Sequence, residues 1–276
     1  MNRVPLKRIA VAAVATAALV TLAGCGASPR ASSPEPSTKP AALVATDASP
    51  TPSSVPSTAP SVAPTPTPTP TPTITLTRKV KSGMSGSDVL AIQKRLTALG
   101  YWLGTPNGKF GSLTQQAVWA LQKAAGLTPN GVVTGKTLQA LNDGVRPKAK
   151  SKPGSGKVIE IVLHPDLLLF TDNGQVTYIL NVSTAGGYQF TDAEGTQIAV
   201  TPKGHYKTYR VIDAMHRSDL GLMYRPRYFN GGDAIHGDSE VPNHPVSHGC
   251  ARVTDAAMDW IWAKNLDPMG TKVWVY

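Results

Sequence analysis

The feature that most constrains the fold is a segment that cannot form a hydrophobic core: residues 26–77 consist almost wholly of Ala, Pro, Ser, Thr and Val. The run closes with Thr-Pro alternation between Pro64 and Thr73. Such a composition offers too little apolar surface for a packed interior, and proline favours extended polyproline II. We predict a disordered tether, which confines globular structure to residues 78–276.

Residues 1–25 have the pattern of an export signal. A basic start precedes an apolar run at 9–22, which is too short to span a membrane comfortably. The run ends in Leu22-Ala23-Gly24-Cys25, which resembles a bacterial lipobox and implies that Cys25 becomes the lipidated first residue of the mature chain. An ordinary secretory signal with an incidental cysteine is the alternative. Either way, Cys250 is left over in an exported chain, which suggests a reactive thiol.

Charge is distributed unevenly along the chain. The sequence has 27 Lys and Arg against 17 Asp and Glu, and the basic excess lies before residue 156. A basic segment in an exported protein fits an anionic wall or membrane surface. We expect no nucleic acid partner, because no aromatic residues are interleaved with the basic ones and the compartment is wrong.

Residues 78–143 show three helical patterns. The first predicted helix ends before Gly100, the second lies between Ser112 and Gly126, and the third runs from Lys136 to Leu141. Asn-Gly turns at Asn107 and Asn130 each precede a helix, so the segment contains an internal repeat. We predict a small all-α helical bundle, followed by a basic linker at 144–155. The first helix, started by Ser87 or Asp88, carries apolar residues on one face: Val89, Ile92, Leu96 and Leu99.

Residues 156–276 change to a β pattern, with a hairpin signal at Asp172-Asn173-Gly174. One helix, capped by Thr254 or Asp255, is expected to run until Pro268. We predict one mostly β domain, a sandwich or barrel with a small helical addition. Strands are expected at residues 158–163, 167–171, 175–183, 204–211 and 272–276.

The densest group of reactive residue types is Ser247-His248-Gly249-Cys250-Ala251-Arg252, shortly after Ile235-His236-Gly237. A free thiol is mostly protonated at neutral pH, so a cysteine nucleophile needs an imidazole to take its proton. Gly249 has no side chain, so backbone N–H groups beside Cys250 can approach a substrate carbonyl and stabilise an oxyanion. These residues indicate a thiol that performs acyl transfer.

Two segments resemble known families. Residues 78–143, with Leu99-Gly100-Tyr101 and Phe110-Gly111-x2-Thr114, resemble the peptidoglycan-binding domain found beside many cell-wall enzymes. A helical spacer without wall affinity is the alternative for this segment. Residues 156–276 are similar to the catalytic domain of L,D-transpeptidases through Ala234-Ile235-His236-Gly237 and Ser247-His248-Gly249-Cys250-x-Arg252.

The second resemblance implies a mechanism. Cys250 is the implied nucleophile, which attacks a wall stem tetrapeptide and expels terminal D-Ala, and His236 takes and returns the proton. His236 should then have a pKa near neutrality. His248 is expected to orient the site, and Gly249 to supply an oxyanion donor. No cofactor is expected. No metal is expected either, because the histidines beside Cys250 lack the spacing of a structural zinc site.

Other residues have less specific roles. Ser247 and Tyr228 are expected to contact substrate. Arg252 is expected to bind the diamino acid carboxylate of the stem or, alternatively, to bridge to Asp255 or Asp238. Tryptophans of the β region are expected in the core or at a domain interface rather than on sugars: Trp260, Trp262 and Trp274.

The implied partners are peptidoglycan stem peptides, as donor and as acceptor, and the membrane through lipidated Cys25. We therefore expect an extracytoplasmic lipoprotein anchored to the membrane at the cell wall. Deleting residues 79–143 is expected to reduce wall binding and to spare chemistry on small fragments. Two other functions stay open. An L,D-carboxypeptidase of the same fold would pass the acyl group to water, and a non-catalytic wall-binding lipoprotein would have no use for Cys250 or His236.

Overall fold

The computed structural model describes residues 73–192 and 195–276. Cys25, the export signal and the tether as far as residue 72 lie outside the described residues, so the predictions made for them stay predictions. The described part begins with a helical region and continues into a mostly β region, as the sequence predicted. None of its helices is long and apolar enough to cross a membrane.

Three helices form the first region: α1 (Ser87–Ala98), α2 (Ser112–Ala124) and α3 (Gly135–Asn142). Their positions match the predicted periodicity, and α2 is followed by Gly126 at φ 65°, a conformation that glycine adopts without strain. Helix α1 begins at Ser87, one of the two residues predicted to start it. Its cap residue is Gly86, which gives no side-chain hydrogen bond to the helix, although Asp88 places a negative charge in the first turn.

Two buried glutamines organise the internal repeat of this region. Gln93 Nε2 donates to Thr114 Oγ1 at 2.8 Å, and its Oε1 accepts from the backbone N–H of Gly108 at 2.7 Å. Gln122 makes the equivalent bonds, donating to Thr137 Oγ1 at 3.0 Å and accepting from the second Asn-Gly turn. Each glutamine therefore fastens a turn to the helix that follows it.

The strands of the β region are β1 (Lys157–Val162), β2 (Leu167–Asp172), β3 (Gln175–Asn181), β4 (Gln189–Asp192), β5 (Gly195–Ile198), β6 (Gly204–Lys207), β7 (Arg210–Val211), β8 (Met215–Ser218), β9 (Gly221–Asn230), β10 (Asp233–Asp238), β11 (Ala251–Thr254) and β12 (Lys272–Val275). They form two sheets and a separate hairpin of β4 and β5. The first sheet has the order β3-β2-β1-β12-β6, and the second has the order β11-β10-β9-β7 with β8 paired to β9. Helix α4 (Asp255–Ala263) lies between β11 and β12 in the chain.

Two boundaries differ from the sequence predictions. The strand expected at 204–211 is interrupted, and its halves, β6 and β7, belong to different sheets. Helix α4 is capped as expected, since Thr254 Oγ1 accepts from the N–H of Ala257 at 3.2 Å, but it ends at Ala263 rather than continuing to Pro268. Asn265 then adopts φ 47°, a left-handed conformation that terminates helices.

The first sheet is buried on both faces. Leu167 and Leu169 pack with the helices, whereas Leu168 and Phe170 pack against the second sheet and α4. This explains why β2 is a continuous apolar run rather than an alternating one. The helical region and the sheet share one core, which contradicts the expectation that residues 79–143 can be deleted without affecting the chemistry.

Further contacts hold the two regions together. Residues 144–155, predicted as a linker, are attached to β1 because Glu160 accepts from the backbone N–H of Ser151 at 2.7 Å and of Lys150 at 2.9 Å. Trp260 of α4 packs against Trp102 of the helical region, with ring centroids 5.2 Å apart. Trp260 thus lies where the two regions meet.

Candidate active site

A cavity of about 610 Å³ opens beside the junction of β10 and β11. Two hairpins flank it, one formed by β4 and β5 and the other by β8 and β9. It is lined by six of the residues singled out in the sequence: His236, Ser247, His248, Gly249, Cys250 and Arg252.

The topology of the second sheet brings the two motifs together. Strands β10 and β11 are parallel neighbours, and their register places His236 opposite Arg252. Cys250 directly precedes β11, so the thiol lies at the entrance to that strand. Residues separated by a long loop in the sequence thereby line the same cavity.

The loop that carries Cys250 is fixed by hydrogen bonds to its carbonyl groups. Ser247 Oγ donates to the carbonyl of Cys250 at 2.5 Å, and Thr201 Oγ1 donates to the carbonyl of Gly249 at 2.6 Å. The C=O and N–H of a trans peptide point in opposite directions. The bond from Thr201 therefore also fixes the direction of the Cys250 N–H.

The thiol of Cys250 is half-buried and lines the cavity. Its Sγ lies 3.8 Å from the carbonyl oxygen of Gly232 and 4.0 Å from Met223 Sδ. Burial raises the pKa of Cys250 to about 11, although a backbone hydrogen bond from Ala234 and the charge of Arg252 oppose the rise. The cysteine is therefore a neutral thiol at neutral pH.

His236 is also buried and neutral. Its Nδ1 lies 2.7 Å from the carbonyl oxygen of Gly237. Because a carbonyl only accepts, Nδ1 carries the proton and Nε2 has the free lone pair. Burial, together with the charge of Arg252, lowers the pKa of His236 below its ordinary value. The sequence predicted a thiolate beside a protonated imidazole, whereas burial of both groups favours the neutral pair.

Asp233 is a cavity residue that the sequence analysis missed. Its carboxylate lies so close to Gly249 that a Cβ added to that glycine would clash with Asp233 Oδ1 and lie 3.3 Å from the carbonyl oxygen of Val200. A larger residue at this position would therefore require the Asp233 carboxylate to move. Burial raises the pKa of Asp233, and a hydrogen bond from Asn230 opposes the rise. Its position directly after the Gly231-Gly232 turn was the available signal.

The other predicted residues have distinct surroundings. His248 makes edge contacts with Phe190 and Tyr188, with ring centroids 4.6 and 5.5 Å apart. Burial lowers the pKa of His248, and Arg252 contributes to the lowering. Arg252 Nη1 lies 3.5 Å from Asp238 Oδ2, which corresponds to the alternative bridge considered for it.

Tyr228 lies beneath the cavity instead of lining it. Its side chain is 5% exposed and packs with Met223 and Ala234, next to Cys250. The guanidinium of Arg210 lies 5.1 Å from the centre of its ring. In the part of the chain that the structure describes, no three His, Cys, Asp or Glu side chains form a group that could hold a metal ion.

Comparisons with known proteins match both regions. A family model described as "Putative peptidoglycan binding domain" matches residues 85–141. The N-acetylmuramoyl-L-alanine amidase CwlL of Bacillus licheniformis is 41% identical over 80 residues, which are 28% of this chain and 22% of the amidase. The chain therefore spans less than a quarter of that relative. An L,D-transpeptidase from Xylanimonas cellulosilytica, known from a crystal structure, is 45% identical in sequence to this chain. The structural match has a TM-score of 0.70 and covers 73% of this chain and 99% of that one.

Proposed function

This chain belongs to the L,D-transpeptidase family, and from that premise we propose that it forms peptidoglycan cross-links through a cysteine acyl-enzyme on stem tetrapeptides. The observation that carries the proposal is the cavity lined by both Cys250 and His236 in a chain 45% identical to a solved L,D-transpeptidase. A thiol that lines the cavity and an imidazole with one free nitrogen are the groups that acyl transfer requires.

The first step is acylation of Cys250. The thiol loses its proton to Nε2 of His236 as Sγ attacks the carbonyl that follows the third stem residue. An Sγ–carbon bond forms, and the tetrahedral intermediate then breaks the peptide carbon–nitrogen bond. His236 returns the proton to the departing nitrogen of D-Ala. Because both groups begin neutral, proton transfer accompanies the attack rather than preceding it.

The oxyanion of that intermediate needs hydrogen-bond donors. The backbone N–H groups of Gly249 and Cys250 are suited to the role, because the bond from Thr201 fixes the peptide between them and Gly249 has no side chain. Each well-placed donor of this kind contributes about 3 kcal/mol to the transition state.

Four residues are proposed to shape the substrate site. Arg252 is held by Asp238 and lines the cavity, so its guanidinium can bind a stem carboxylate. His248, packed against Phe190, forms part of the wall and orients substrate. Ser247 acts through its bond to the Cys250 carbonyl, and Tyr228 supports the floor from below.

The second step transfers the acyl group. An amine from a neighbouring stem attacks the thioester carbon, the Sγ–carbon bond breaks, and His236 takes the excess proton from that amine and passes it to Sγ, which restores the neutral pair. Amines outcompete water when they are held at high effective concentration. An enzyme held at the wall meets that condition, which favours cross-linking, with the L,D-carboxypeptidase reaction as a side reaction.

Location follows from the other segments. The helical region, matched by a peptidoglycan-binding model, is proposed to bind the wall. Lipidated Cys25 is proposed to anchor the protein to the membrane on the extracytoplasmic side, with residues 26–77 as the tether. Stem peptides are then both donor and acceptor.

The nucleophile is tested by intact-mass measurement after incubation with a carbapenem. Wild type should gain one covalent adduct, and Cys250→Ala should gain none. His236→Ala should acylate about 100-fold or more slowly, because a positioned base commonly contributes that much. The matched control is Cys25→Ala, in which Cys250 is the remaining cysteine, and it should react like wild type. An adduct that persists in Cys250→Ala would contradict the assignment.

The acceptor is tested by mass spectrometry of products from purified disaccharide-tetrapeptide. A dimer lighter than two monomers by one D-Ala is the expected product. Tripeptide alone would move the assignment to L,D-carboxypeptidase. No turnover of tetrapeptide or pentapeptide, together with no adduct, would instead support a non-catalytic wall-binding lipoprotein.

A further inference from the structure

A buried ion pair joins the helical region to the β region. The ammonium of Lys123, in α2, lies 3.0 Å from the carbonyl oxygen of Asp166, 3.3 Å from its Oδ2 and 3.2 Å from the carbonyl oxygen of Val182. An ammonium has three protons, so every donor of Lys123 has an acceptor. Both side chains are only 4% exposed.

Such a pair is a poor source of stability by itself. Removing two charges from water costs several kcal/mol per ion, and apolar residues of similar volume often stabilise a protein as well or better. What the pair does supply is geometry, because three hydrogen bonds of fixed direction hold one ammonium. Its place in the fold therefore suggests that Lys123 acts on something beyond the interface.

Asp166 extends the contact towards the cavity. It lies in the turn between β1 and β2 at φ 71°, a conformation in which Asp is one of the few residues other than glycine that are common. While Oδ2 faces Lys123, Oδ1 accepts from Thr184 Oγ1 at 2.7 Å and from the Thr184 N–H at 3.2 Å. The carboxylate therefore connects Lys123 to Thr184.

Thr184 belongs to a segment, residues 183–186, that flanks the nucleophile loop. The carbonyl of Thr184 accepts from the N–H of Ser247 at 2.9 Å, before Cys250 in the chain. Ser183 exchanges two backbone hydrogen bonds with Arg252, at 2.9 and 3.0 Å, after Cys250. The segment thus holds the nucleophile loop on both sides of the thiol.

Helix α2 also contacts the chain that leads into this loop. Gln116 Nε2 donates to the carbonyl of Val241 at 2.7 Å, and Gln116 Oε1 accepts from Asn181 Nδ2 at 2.7 Å. Asn181 Nδ2 also donates to the carbonyl of Pro242 at 3.1 Å. One helix therefore reaches the nucleophile loop by two routes.

We propose that Lys123 is a positioning residue for Cys250: it fixes Asp166, Asp166 fixes residues 183–186, and these hold the loop from Ser247 to Arg252. The wall-binding helical region is then part of the catalytic unit. This inference rests on the proposed function, in which Cys250 is the nucleophile.

The test compares Lys123→Met with Lys136→Met, a matched change at an exposed lysine of α3, in the full chain. Three measurements are made at a temperature where each protein is folded: carbapenem acylation, kcat and KM with tetrapeptide, and alkylation by iodoacetamide. Lys123→Met should lower the acylation rate and kcat by about 10-fold or more, because small displacements of reacting groups are costly to rate. Lys136→Met should stay within about twofold of wild type on all three.

Alkylation separates positioning from loss of structure. Iodoacetamide alkylates the accessible thiolate but needs neither oxyanion donors nor an oriented substrate, so a displaced but folded loop should lose acylation by a much larger factor than alkylation. Unfolding would instead raise alkylation, because the thiol leaves its buried site. Acylation in Lys123→Met within twofold of wild type, or a fall that merely follows the unfolded fraction, would overturn the proposal.

Two further variants keep the proposal falsifiable if Lys123→Met does not fold. Thr184→Val removes the hydroxyl that Asp166 accepts from, while the Thr184 N–H still donates to Oδ1, and it should lower acylation by about threefold or more at a temperature where the variant is folded. In Lys123→Met/Asp166→Asn the amide oxygen still accepts from Thr184 and no charge is buried alone, so acylation should partly recover. Wild-type acylation in Thr184→Val would overturn the proposal. Absence of any adduct on wild type would instead contradict the proposed function.

Discussion

At the scale of single residues, burial determines where the protons of the site lie. Desolvation makes both a thiolate at Cys250 and an imidazolium at His236 costly. The neutral imidazole is oriented by the carbonyl of Gly237, which leaves Nε2 as the acceptor. In the proposed mechanism, His236 therefore accepts the thiol proton only as Sγ attacks the substrate carbonyl.

This arrangement predicts the pH profile of acylation by a carbapenem. A protonated His236 cannot accept the thiol proton, and its pKa is lowered, so the acid limb should lie below about pH 6.5. Because the pKa of Cys250 is raised to about 11, the rate should stay level between about pH 7 and 9. Stopped-flow or mass measurements of the acylation rate across this range test it.

The control for that profile is His164→Gln, a change at an exposed histidine far from the thiol in sequence, which should leave the acid limb unchanged. A rate in wild type that rises about tenfold per unit between pH 7 and 9 would show a thiol that ionises independently of His236. That result would contradict the neutral pair.

The sequence predicts which residues line the cavity better than it predicts their surroundings. Cys250 and His236 are identifiable because few other pairings explain a lone thiol beside two histidines in an exported chain. Asp233 was missed because a carboxylate after a turn is common, and only the fold shows that it lies against Gly249. Tyr228 was expected to contact substrate because the chain does not reveal which face of a strand is turned to the cavity.

At the scale of elements, periodicity identifies the helices and the first sheet. The second sheet was hardly predicted, although it carries the site. Strand β9 contains Pro226 and has Arg225 at φ 51°, so its pattern is irregular. In β10, His236 and Asp233 occupy positions that would otherwise extend an apolar alternation. Polar residues that line the cavity thus obscure the structural pattern.

The buried glutamines of the repeat provide a prediction at this scale. Gln93→Leu keeps the approximate volume but leaves the turn N–H of Gly108 and the hydroxyl of Thr114 without their partner. We expect a loss of about 2 to 4 kcal/mol in the free energy of unfolding, because unsatisfied buried polar groups each cost about 1 to 3 kcal/mol. Urea denaturation measures it.

Gln139→Leu is the matched control, since Gln139 is exposed on α3, and it should change the free energy of unfolding by about 0.5 kcal/mol or less. A similar effect of both substitutions would mean that the hydrogen bonds of Gln93 do not organise the repeat.

At the scale of the whole molecule, the described residues form three layers: the helical region, the first sheet, and the second sheet with α4. Continuous apolar strands were the signal in the sequence that both faces of the first sheet are buried. The Lys123–Asp166 pair had no such sign, because nothing in the local sequence of either residue indicates a partner in the other region.

The layered core predicts the outcome of a deletion. Removing residues 73–143 exposes the face of the first sheet that includes Leu167, Leu169 and Ile179. At about 25 cal/mol per Å² of apolar surface, that exposure should leave a fragment that aggregates or unfolds and forms little carbapenem adduct. Soluble yield, circular dichroism and adduct mass measure it, with the full chain as the control. A soluble fragment that acylates at the wild-type rate would show that the regions are independent.

The anchor is a separate prediction, since Cys25 lies outside the described residues. Cys25→Ala should move the protein from the membrane fraction to the wall or the medium, because the lipid is the proposed attachment. Immunoblots of fractionated cells measure the distribution, and Cys250→Ala is the matched control that should stay with the membrane. A Cys25→Ala protein that remains in the membrane fraction would mean that the lipobox resemblance is misleading.

The shared core also limits how proteins of this kind can recombine. A crossover at residues 144–155 would join a foreign set of helices to a sheet whose outer face is apolar and whose turn carries a buried Asp166. Neither surface would find its counterpart. We expect a viable hybrid to be cut before residue 73, so that the helices and the sheet are inherited together.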